Sequence, residues 1–252
     1  AAILGRRAVV NTSRIPQSWV PGLFFPLILT TVFSGSFAAA PAFVRGFPEV
    51  NGFLDFVIAG VILQATLIGG TVAGTAFAFD LQGGFLDRLI ASPASRAAII
   101  SGRLIGSVVM ALAQTTLFVG LALIFGARID AGVPGAALVL LFASLLAVAA
   151  GGLGVTLALR TRSAEVVEGS FPLFFALMFF SSSFFPRETM SGWFKTVADV
   201  NPISWVVEGM RVLIVGGETG DLLLGLATAI LLAAIAVGAA VRAMHRYLGP
   251  DA

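Results

Sequence analysis

The sequence predicts an all-α membrane protein with six transmembrane helices in one domain that covers residues 1–252. Three observations predict this fold class. Hydrophobic residues make up 58% of the chain and charged residues only 11%, against about 25% charged residues in soluble domains. The apolar residues form six runs of about 20 residues or more, the length that crosses a bilayer core. These runs are continuous instead of alternating, which favours helices over barrel strands.

The first predicted span is preceded by a basic segment. In Ala1–Trp19, three arginines alternate with apolar residues, a pattern typical of an amphipathic helix on a membrane surface, and a disordered basic tail is the alternative. A secretory signal has an apolar core of about 7–15 residues. The run that follows is longer, so it is interpreted as a retained span. The six predicted spans are 21–40, 54–79, 104–125, 133–159, 166–185 and 222–241.

The positions of the basic residues predict the orientation. With the N-terminus inside, ten of the arginines fall in inner segments, whereas four arginines and the lysine fall in outer segments. Since cytoplasmic loops carry the excess of Arg and Lys, both termini are predicted to be cytoplasmic. The net charge of +2 suggests contact with lipid headgroups and gives no footprint for nucleic acid.

The connection between the second and third spans is the most polar break between two apolar runs. Within it, Phe85–Ala91 is predicted to be a short amphipathic helix that stops at Ser92 and Pro93, because proline cannot continue a helix. The charged residues of this connection are Asp80, Asp87, Arg88, Arg96 and Arg103.

The connection between the fifth and sixth spans is too long for an ordinary loop. Asn201 is a favourable helix cap, Pro202 suits the first helical position, and the apolar stretch that follows ends at a Gly-Gly pair. The sequence thus predicts a short re-entrant or interfacial helix on the outer side, with a second short helix before it. Glu208 and Arg211 are three residues apart and are expected to pair near the headgroups or in a wet cavity.

The predicted fifth span is rich in phenylalanine. Its aromatic faces suit a path for a greasy or planar solute, and filling between helices or towards lipid is the alternative. The candidate path residues are Phe171, Phe174, Phe175 and Phe179. Pro172 is expected to kink this helix. In the second span, Gly70 and Gly74 are spaced to let another helix approach closely.

Several catalytic classes lack their residues. The chain has no cysteine, which excludes thiolate catalysis and zinc–thiolate sites. Its one lysine, Lys195, follows an aromatic pair, so a GxxxxGK[ST] phosphate-binding loop is absent. The single histidine, His245, lies in a basic tail, and no HExxH or GxSxG motif occurs. The chain is therefore predicted to be no enzyme by itself and to hold neither metal nor cofactor.

Two motifs in order resemble the membrane subunits of type-2 ATP-binding-cassette (ABC) exporters. The first is Gly84–Ser95 followed by Ile99–Arg103, and the second is Asn201–Trp205 leading to Glu208–Arg211. The resemblance covers nearly the whole chain and is nearest to the daunorubicin-resistance branch of multidrug efflux permeases. Members of the family often carry alternating acids and bases in the segment that corresponds to residues 80–84. This chain has Asp-Leu-Gln-Gly-Gly there and departs from the family pattern.

The resemblance implies a subunit that moves hydrophobic drugs, antibiotics or lipids across the plasma membrane of a bacterium. Two copies of a separate ATPase subunit would bind ATP and Mg, and the second permease subunit would be identical or paralogous. The short helix Phe85–Ala91 would be a coupling helix, which receives movement from the ATPase. The residues of this segment that would dock on the ATPase are Phe85, Leu86, Asp87, Arg88, Leu89, Ser92 and Pro93. The external gate would comprise Asn201, Pro202, Glu208 and Arg211.

Three other readings remain at this point. One is an ABC permease for a lipid-linked glycan, which has the same layout. Another is an ion-coupled secondary transporter, although such carriers usually need ionisable groups within their spans, and Asp80, Glu165 and Glu168 lie at predicted span ends. The third is an integral membrane enzyme or a scaffold that transports nothing.

Overall fold

The computed structural model describes residues 5, 6, 10, 14, 16–44, 47, 50, 52–90 and 95–248, and the regular elements among these residues are helical. A short 3-10 turn at Arg187–Thr189 separates two of the helices. The helices are α1 (Pro16–Ser36), α2 (Ala40–Phe43), α3 (Phe53–Gln82), α4 (Phe85–Ile90), α5 (Arg96–Ile124), α6 (Gly132–Thr161), α7 (Ala164–Gly169), α8 (Phe171–Phe179), α9 (Gly192–Val200), α10 (Pro202–Val215) and α11 (Thr219–Tyr247).

Five helices among the described residues are long and apolar enough to cross a membrane, namely α1, α3, α5, α6 and α11. They correspond to the first, second, third, fourth and sixth predicted spans. The first ends at Ser36 and not at Ala40 as predicted. Pro41 lies in the first turn of α2, and because proline cannot continue a preceding helix, a new turn begins there. Most of the predicted N-terminal surface helix lies outside the described residues.

The prediction of one continuous fifth span over 166–185 is wrong. The chain forms two shorter helices, α7 and α8, with Ser170 between them. Pro172 lies in the first turn of α8, where its missing N–H costs no hydrogen bond, so the expected kink is instead a break between two helices. The helix ends at Phe179, and turns follow at 180–185.

Helix α3 lies at the centre of the bundle, packed against α1, α5, α6, α7 and α10. Its tightest neighbour is α6. A β-carbon on Gly74 would lie 2.6 Å from the Cα atom of Gly154, and one on Gly70 would overlap Ala150. Only glycine permits this approach of the two backbones, so the close crossing predicted from Gly70 and Gly74 is confirmed.

Two apolar clusters mark the ends of the bundle. The first joins α4 to α3, α5, α6, α7 and α11, and because the arginines of α4, α6 and the end of α11 lie near it, we call this end the basic end. The second joins the start of α3 to the end of α8 and to α10, at what we call the opposite end. The first residues of α1 and the last residues of α11 both lie at the basic end.

Candidate functional site

The chain reverses direction between α3 and α4 at the basic end. Gly83 caps α3, and Gly84 has a φ of 65°, a left-handed conformation that glycine adopts without steric cost. The helix that follows covers Phe85–Ile90, and its predicted last residue, Ala91, lies outside the described residues. Ser95 then accepts a hydrogen bond from the N–H of Ala98 at 3.2 Å and begins α5. The segment predicted to couple to an ATPase therefore contains a short helix between two spans.

Helix α4 is anchored to the bundle by a leucine predicted to contact an ATPase. Leu86 is only 1% exposed and packs in the basic-end cluster with residues of α3, α5, α6, α7 and α11. Its burial favours an anchoring role over a direct contact. Leu89 packs partly on the same cluster, Phe85 is half-buried, and Arg88 is exposed. The side chain of Asp87 and all of Ser92 and Pro93 lie outside the described residues.

An ion pair joins α3 and α5, the two spans on either side of α4 in the sequence. Arg103 lies 3.6 Å from Asp80 and donates to the carbonyl of Ala73 from Nε at 3.1 Å and Nη2 at 2.9 Å. Because the guanidinium contacts two residues of α3 that are about two turns apart, the start of α5 is fixed to the end of α3. Sequence reasoning named both charged residues but did not pair them.

A second loop lies beside the coupling segment at the basic end. The side-chain amide of Gln82 donates to the carbonyl of Arg162 at 3.2 Å. Arg162 has a φ of 55° at the end of α6, and its guanidinium lies 4.9 Å from the ring centre of Tyr247. The α6–α7 loop thus connects the end of α3 to the end of α11, a link that the sequence alone did not indicate.

The opposite end carries α10, whose predicted caps are confirmed. The side chain of Asn201 accepts the N–H of Ile203 at 2.9 Å, Pro202 occupies the first turn, and Gly216 ends the helix with a φ of 82°. The predicted second short helix before it is also present as α9. Trp205 on α10 donates its indole N–H to the carbonyl of Asp199 at 3.0 Å, so α9 and α10 are held together.

Asn201 also fixes the end of α8. Its Nδ2 group donates to the carbonyls of Leu177 at 2.7 Å and Phe180 at 3.0 Å, which have no helical partner at a helix C-terminus. One side chain therefore caps α10 and satisfies the end of α8. Asn201 is 5% exposed, so these bonds form away from solvent.

Glu208 and Arg211 form the predicted pair, with a distance of 2.7 Å between Nη1 and Oε2. Arg187 lies 3.7 Å from the other carboxylate oxygen of Glu208. Burial acts to raise the pKa of Glu208, but the guanidinium of Arg211 and the hydrogen bonds it receives outweigh burial, and the pKa lies below its ordinary value. Glu208 is therefore ionised at neutral pH.

Protein covers the Arg211 side of the pair, whereas the side chain of Glu208 is 17% exposed. Arg211 is 3% exposed, donates from Nε to the carbonyl of Phe56 at 3.3 Å and from Nη2 to that of Ser182 at 2.7 Å. Its guanidinium carbon lies 3.7 Å from the ring centre of Phe56. The carbonyls and the aromatic face replace the hydration of the buried cation.

The turn after α8 fits against two helices. The N–H of Ser182 donates to the hydroxyl of Ser204 on α10 at 3.1 Å. On α3, a β-carbon at Gly60 would overlap the carbonyl of Ser183. Glycine at position 60 therefore admits this turn, and α3, α8 and α10 meet at one buried polar junction. The sequence alone did not predict these contacts.

The phenylalanines of the predicted path pack on one another. The ring centre of Phe175 lies 5.5 Å from that of Phe171 and 4.8 Å from that of Phe179. The ring centre of Phe25 of α1 lies 5.7 Å from that of Phe175. Phe174 is partly buried against the apolar cluster at the opposite end. The structure brings these residues together as an aromatic contact between α8 and α1.

A buried acid at the opposite end escaped the sequence interpretation. Asp55 is 3% exposed and accepts the backbone N–H of Arg128 at 3.2 Å, which fixes the α5–α6 loop to α3. It lies in the first turn of α3, where the helix dipole favours a carboxylate. A single acid at the start of an apolar run was the available signal. Within the described residues, no group of three His, Cys, Asp or Glu could hold a metal ion.

Comparison with known sequences fits this architecture. Residues 1–215 match the ABC-2 type transporter family. The chain belongs to this family. It is also 31% identical over 214 residues to the daunorubicin resistance ABC transporter permease protein DrrB1 of Streptomyces coeruleorubidus, a match that covers 83% of this chain and 73% of that protein. The chain is therefore an ABC-2 permease of the drug-efflux branch, a multi-pass membrane protein.

Proposed function

We propose that this ABC-2 permease exports hydrophobic compounds from a bacterial cell, powered by a separate ATPase subunit. The observation that carries the proposal is the construction of α4. This short helix between two spans is anchored by one buried side chain, Leu86, and presents the exposed Arg88. A helix held in this way can receive a partner and transmit its movement. Family membership implies association with an ATPase subunit and a partner permease.

The ATPase docks on residues 80–96 in this proposal. Two ATPase copies bind ATP and Mg and close together, which moves the α4 helices of two permease subunits. Because Leu86 packs with residues of α5, α7 and α11, movement of α4 is transmitted to several spans at once. The predicted docking role stays with Phe85, Asp87, Arg88 and Leu89, and with Ser92 and Pro93 beyond the described residues.

The junction at the opposite end is proposed to be the external gate. Asn201 and Arg211 both bind backbone carbonyls at the end of α8, and Glu208 balances the charge of Arg211. Together with Pro202, which starts α10, these residues make α10 a lid that moves with α8. Opening of the gate then requires the two helices to shift as a pair.

The basic end faces the cytoplasm in this arrangement, as the excess of arginine favours. Both termini are cytoplasmic. Helices α7 and α8 together cross the membrane as the fifth of six spans, since they run from the basic-end cluster to the cluster at the opposite end. The chain would lie in the plasma membrane of a bacterium, beside an identical or paralogous permease subunit.

The substrate is proposed to be a hydrophobic drug or lipid. The relative is named for resistance to daunorubicin, and the aromatic contact of Phe171, Phe174, Phe175 and Phe179 offers ring faces along α8 that suit planar compounds. A lipid-linked glycan is the alternative cargo, which the same family layout would accommodate.

Reconstitution of the permease with its ATPase in proteoliposomes tests the proposal. We expect ATP hydrolysis and transport to be stimulated by daunorubicin or related amphiphiles and to require an ATPase competent for hydrolysis. Stimulation only by a lipid-linked glycan would favour the alternative cargo. Transport by the permease alone, driven by an ion gradient without nucleotide, would overturn the proposal in favour of a secondary carrier.

A further inference from the structure

We infer that a groove between α1 and α5, floored by α3, binds an amphiphilic compound with a hydrogen-bonding group at one end. This inference rests on the proposed export function and names a site and a substrate class for it. The groove consists of a polar pocket near the basic end and a larger apolar compartment towards the opposite end.

The apolar compartment has a volume of about 320 Å³, within the range of small-molecule pockets. Its walls include Leu27 of α1, Ile58 of α3, and Phe118 and Leu121 of α5. The threonines that line it donate their hydroxyls to carbonyls one turn earlier in α1. Ser34 is the remaining polar side chain there, and its hydroxyl has no hydrogen-bond partner among the described residues. The rest of the lining is apolar. The compartment therefore suits an apolar body.

The polar pocket is smaller, with a volume of about 30 Å³, enough for one water-sized group. Gln114 and Ser107 of α5 line it and are 6% and 8% exposed. Within the part of the chain that the structure describes, the amide oxygen of Gln114 and the hydroxyl of Ser107 are both buried without a hydrogen-bond partner. Such groups are costly in an apolar surrounding unless a ligand or water satisfies them, so the pocket has capacity for a donor.

Glycines create the space in which Gln114 lies. A β-carbon at Gly22 of α1 would lie 2.9 Å from Nε2 of Gln114, and one at Gly69 of α3 would lie 3.7 Å from Oε1. The amide is thus inserted between two helices at a point where larger residues would displace it. Arg103 also lines this pocket, but its charge is balanced by Asp80, so the pocket favours a neutral or cationic donor over an anion.

The two spaces lie on the same helix faces. On α5, the lining residues Ser107, Gln114, Phe118, Leu121 and Phe125 recur at intervals of three, four or seven residues, which is one side of a helix. On α3, residues 54, 58, 61, 68 and 72 follow the same spacing. The pocket and the compartment are therefore parts of one groove, polar near the basic end and apolar beyond it.

The polarity gradient selects the occupant. A compound with an apolar body in the compartment and a hydroxyl or ammonium group near Gln114 satisfies both parts of the groove. With the basic end in the cytoplasm, this orientation matches an amphiphile that enters from the inner leaflet. We commit to the exported compound as occupant. A resident membrane phospholipid is the competing occupant, which the experiment distinguishes.

Photolabelling of the purified permease in nanodiscs tests the inference. The probes are 3-trifluoromethyl-3-phenyldiazirine and its hydroxymethyl derivative, which share an apolar body and differ in one donor. We expect mass spectrometry to find both probes on Leu121 and its neighbours, with the alcohol favoured roughly fivefold by one hydrogen bond. Daunorubicin in excess should reduce labelling in the groove and leave labelling of lipid-facing residues such as Phe24 unchanged.

Matched variants locate the two parts of the groove. Leu121→Trp fills the compartment and should lower groove labelling roughly tenfold, as a loss of about 1.4 kcal/mol would, whereas Leu123→Trp on the exposed face of α5 should not. Gln114→Leu should abolish the preference for the alcohol while retaining the parent probe, and Thr116→Val serves as its control. Labelling of Phe24 verifies that the probe reaches each variant equally, and an unchanged melting temperature verifies that each variant is folded.

Two results would overturn the inference. One is equal labelling around the whole apolar surface with no effect of Gln114→Leu. The other is displacement of the probe by added phosphatidylethanolamine but not by daunorubicin, which would assign the groove to lipid. These measurements need neither ATPase nor nucleotide. Failure of ATP-driven export would thus leave labelling intact, and absent labelling would leave the exporter assignment to be judged by its own assay.

Discussion

Arg211 donates from Nη2 to the backbone carbonyl of Ser182 at 2.7 Å, although the two residues are 29 positions apart in sequence. The bond joins α10 to the turn that ends α8. Because the same guanidinium also binds the carbonyl of Phe56 and the carboxylate of Glu208, one side chain connects three helices. The proposed gate is therefore a buried polar junction whose parts can be removed one at a time.

Arg211→Met should strongly destabilise the permease. It leaves Glu208 buried without its nearest counter-charge and two carbonyls without a donor, and breaking a buried pair costs about 3–5 kcal/mol. Arg211→Lys should recover only part of this stability, because one ammonium cannot reproduce the planar fork of donors. Thermal unfolding in nanodiscs measures both. Equal melting temperatures for the wild type and Arg211→Met would contradict the junction.

Asn201→Asp should separate the two roles of Asn201. Aspartate still caps α10 through Ile203 but cannot donate to the carbonyls of Leu177 and Phe180. We expect Asn201→Asp to weaken the connection to α8, and Asn201→Ala to lose in addition the cap, worth about 1 kcal/mol. Hydrogen exchange at the amides that end α8 should rise in both variants, whereas the first amides of α10 should lose protection only in the Ala variant. An Asp variant indistinguishable from wild type would show that the donated bonds contribute nothing.

The stability of the junction should depend on pH through Glu208. Its pKa is lowered from the ordinary value of 4.5, so its contribution is complete above that value and is lost as the pH falls through the lower folded-state pKa. Melting temperatures of the wild type and Glu208→Gln should therefore differ by a constant amount from neutral pH down to about 4.5 and converge below it. Convergence already near pH 6 would contradict this assignment.

Leu86 and Arg88 should give opposite phenotypes. Leu86→Ala removes a fully buried side chain and should cost about 2–5 kcal/mol, seen as a lower melting temperature. Arg88 lies on the exposed side of α4, so Arg88→Glu should leave the melting temperature unchanged while weakening co-purification with the ATPase.

Leu89→Asp should leave the protein inserted but uncouple ATP hydrolysis from export. Normal substrate-stimulated hydrolysis and export in that variant would refute the coupling role of α4.

Gly70→Ala should disrupt the crossing of α3 and α6, since the added methyl group overlaps Ala150. Overpacking of this kind costs about 1–3 kcal/mol. Gly120→Ala on α5 is the matched control, because nothing lies within 4 Å of its would-be β-carbon, and it should leave stability unchanged or slightly raised. The measurement is the melting temperature of each variant relative to that of the wild type, which should fall for Gly70→Ala and not for Gly120→Ala.

Local signals in the sequence were sufficient for the elements but not for their contacts. The caps Asn201 and Gly216 and the pairing of Glu208 with Arg211 follow from residue types at short spacing, and the structure contains them. The burial of Leu86 and the bonds of Arg211 to Phe56 and Ser182 depend on residues far apart in the chain. In a chain this apolar, hydrophobicity does not distinguish a helix face towards lipid from one towards protein.

The break at Ser170 shows a second limit. Apolarity over 166–185 predicts burial or membrane contact at each residue, but it does not determine where one helix ends and another begins. Pro172 permits either a kink within a helix or the start of a new one, and the structure has the latter.

The contact of Gly74 with Gly154 restricts how this permease can change shape. With backbone against backbone at this point, α3 and α6 cannot approach each other any further, and we expect them to move together as a pair. Changes of shape are then expected mainly in the helices with the least burial, above all α1. Only 11% of its membrane-spanning segment is buried within the protein. The closely packed α3–α6 pair and the exposed first span together indicate which parts of the subunit can act as the moving wall.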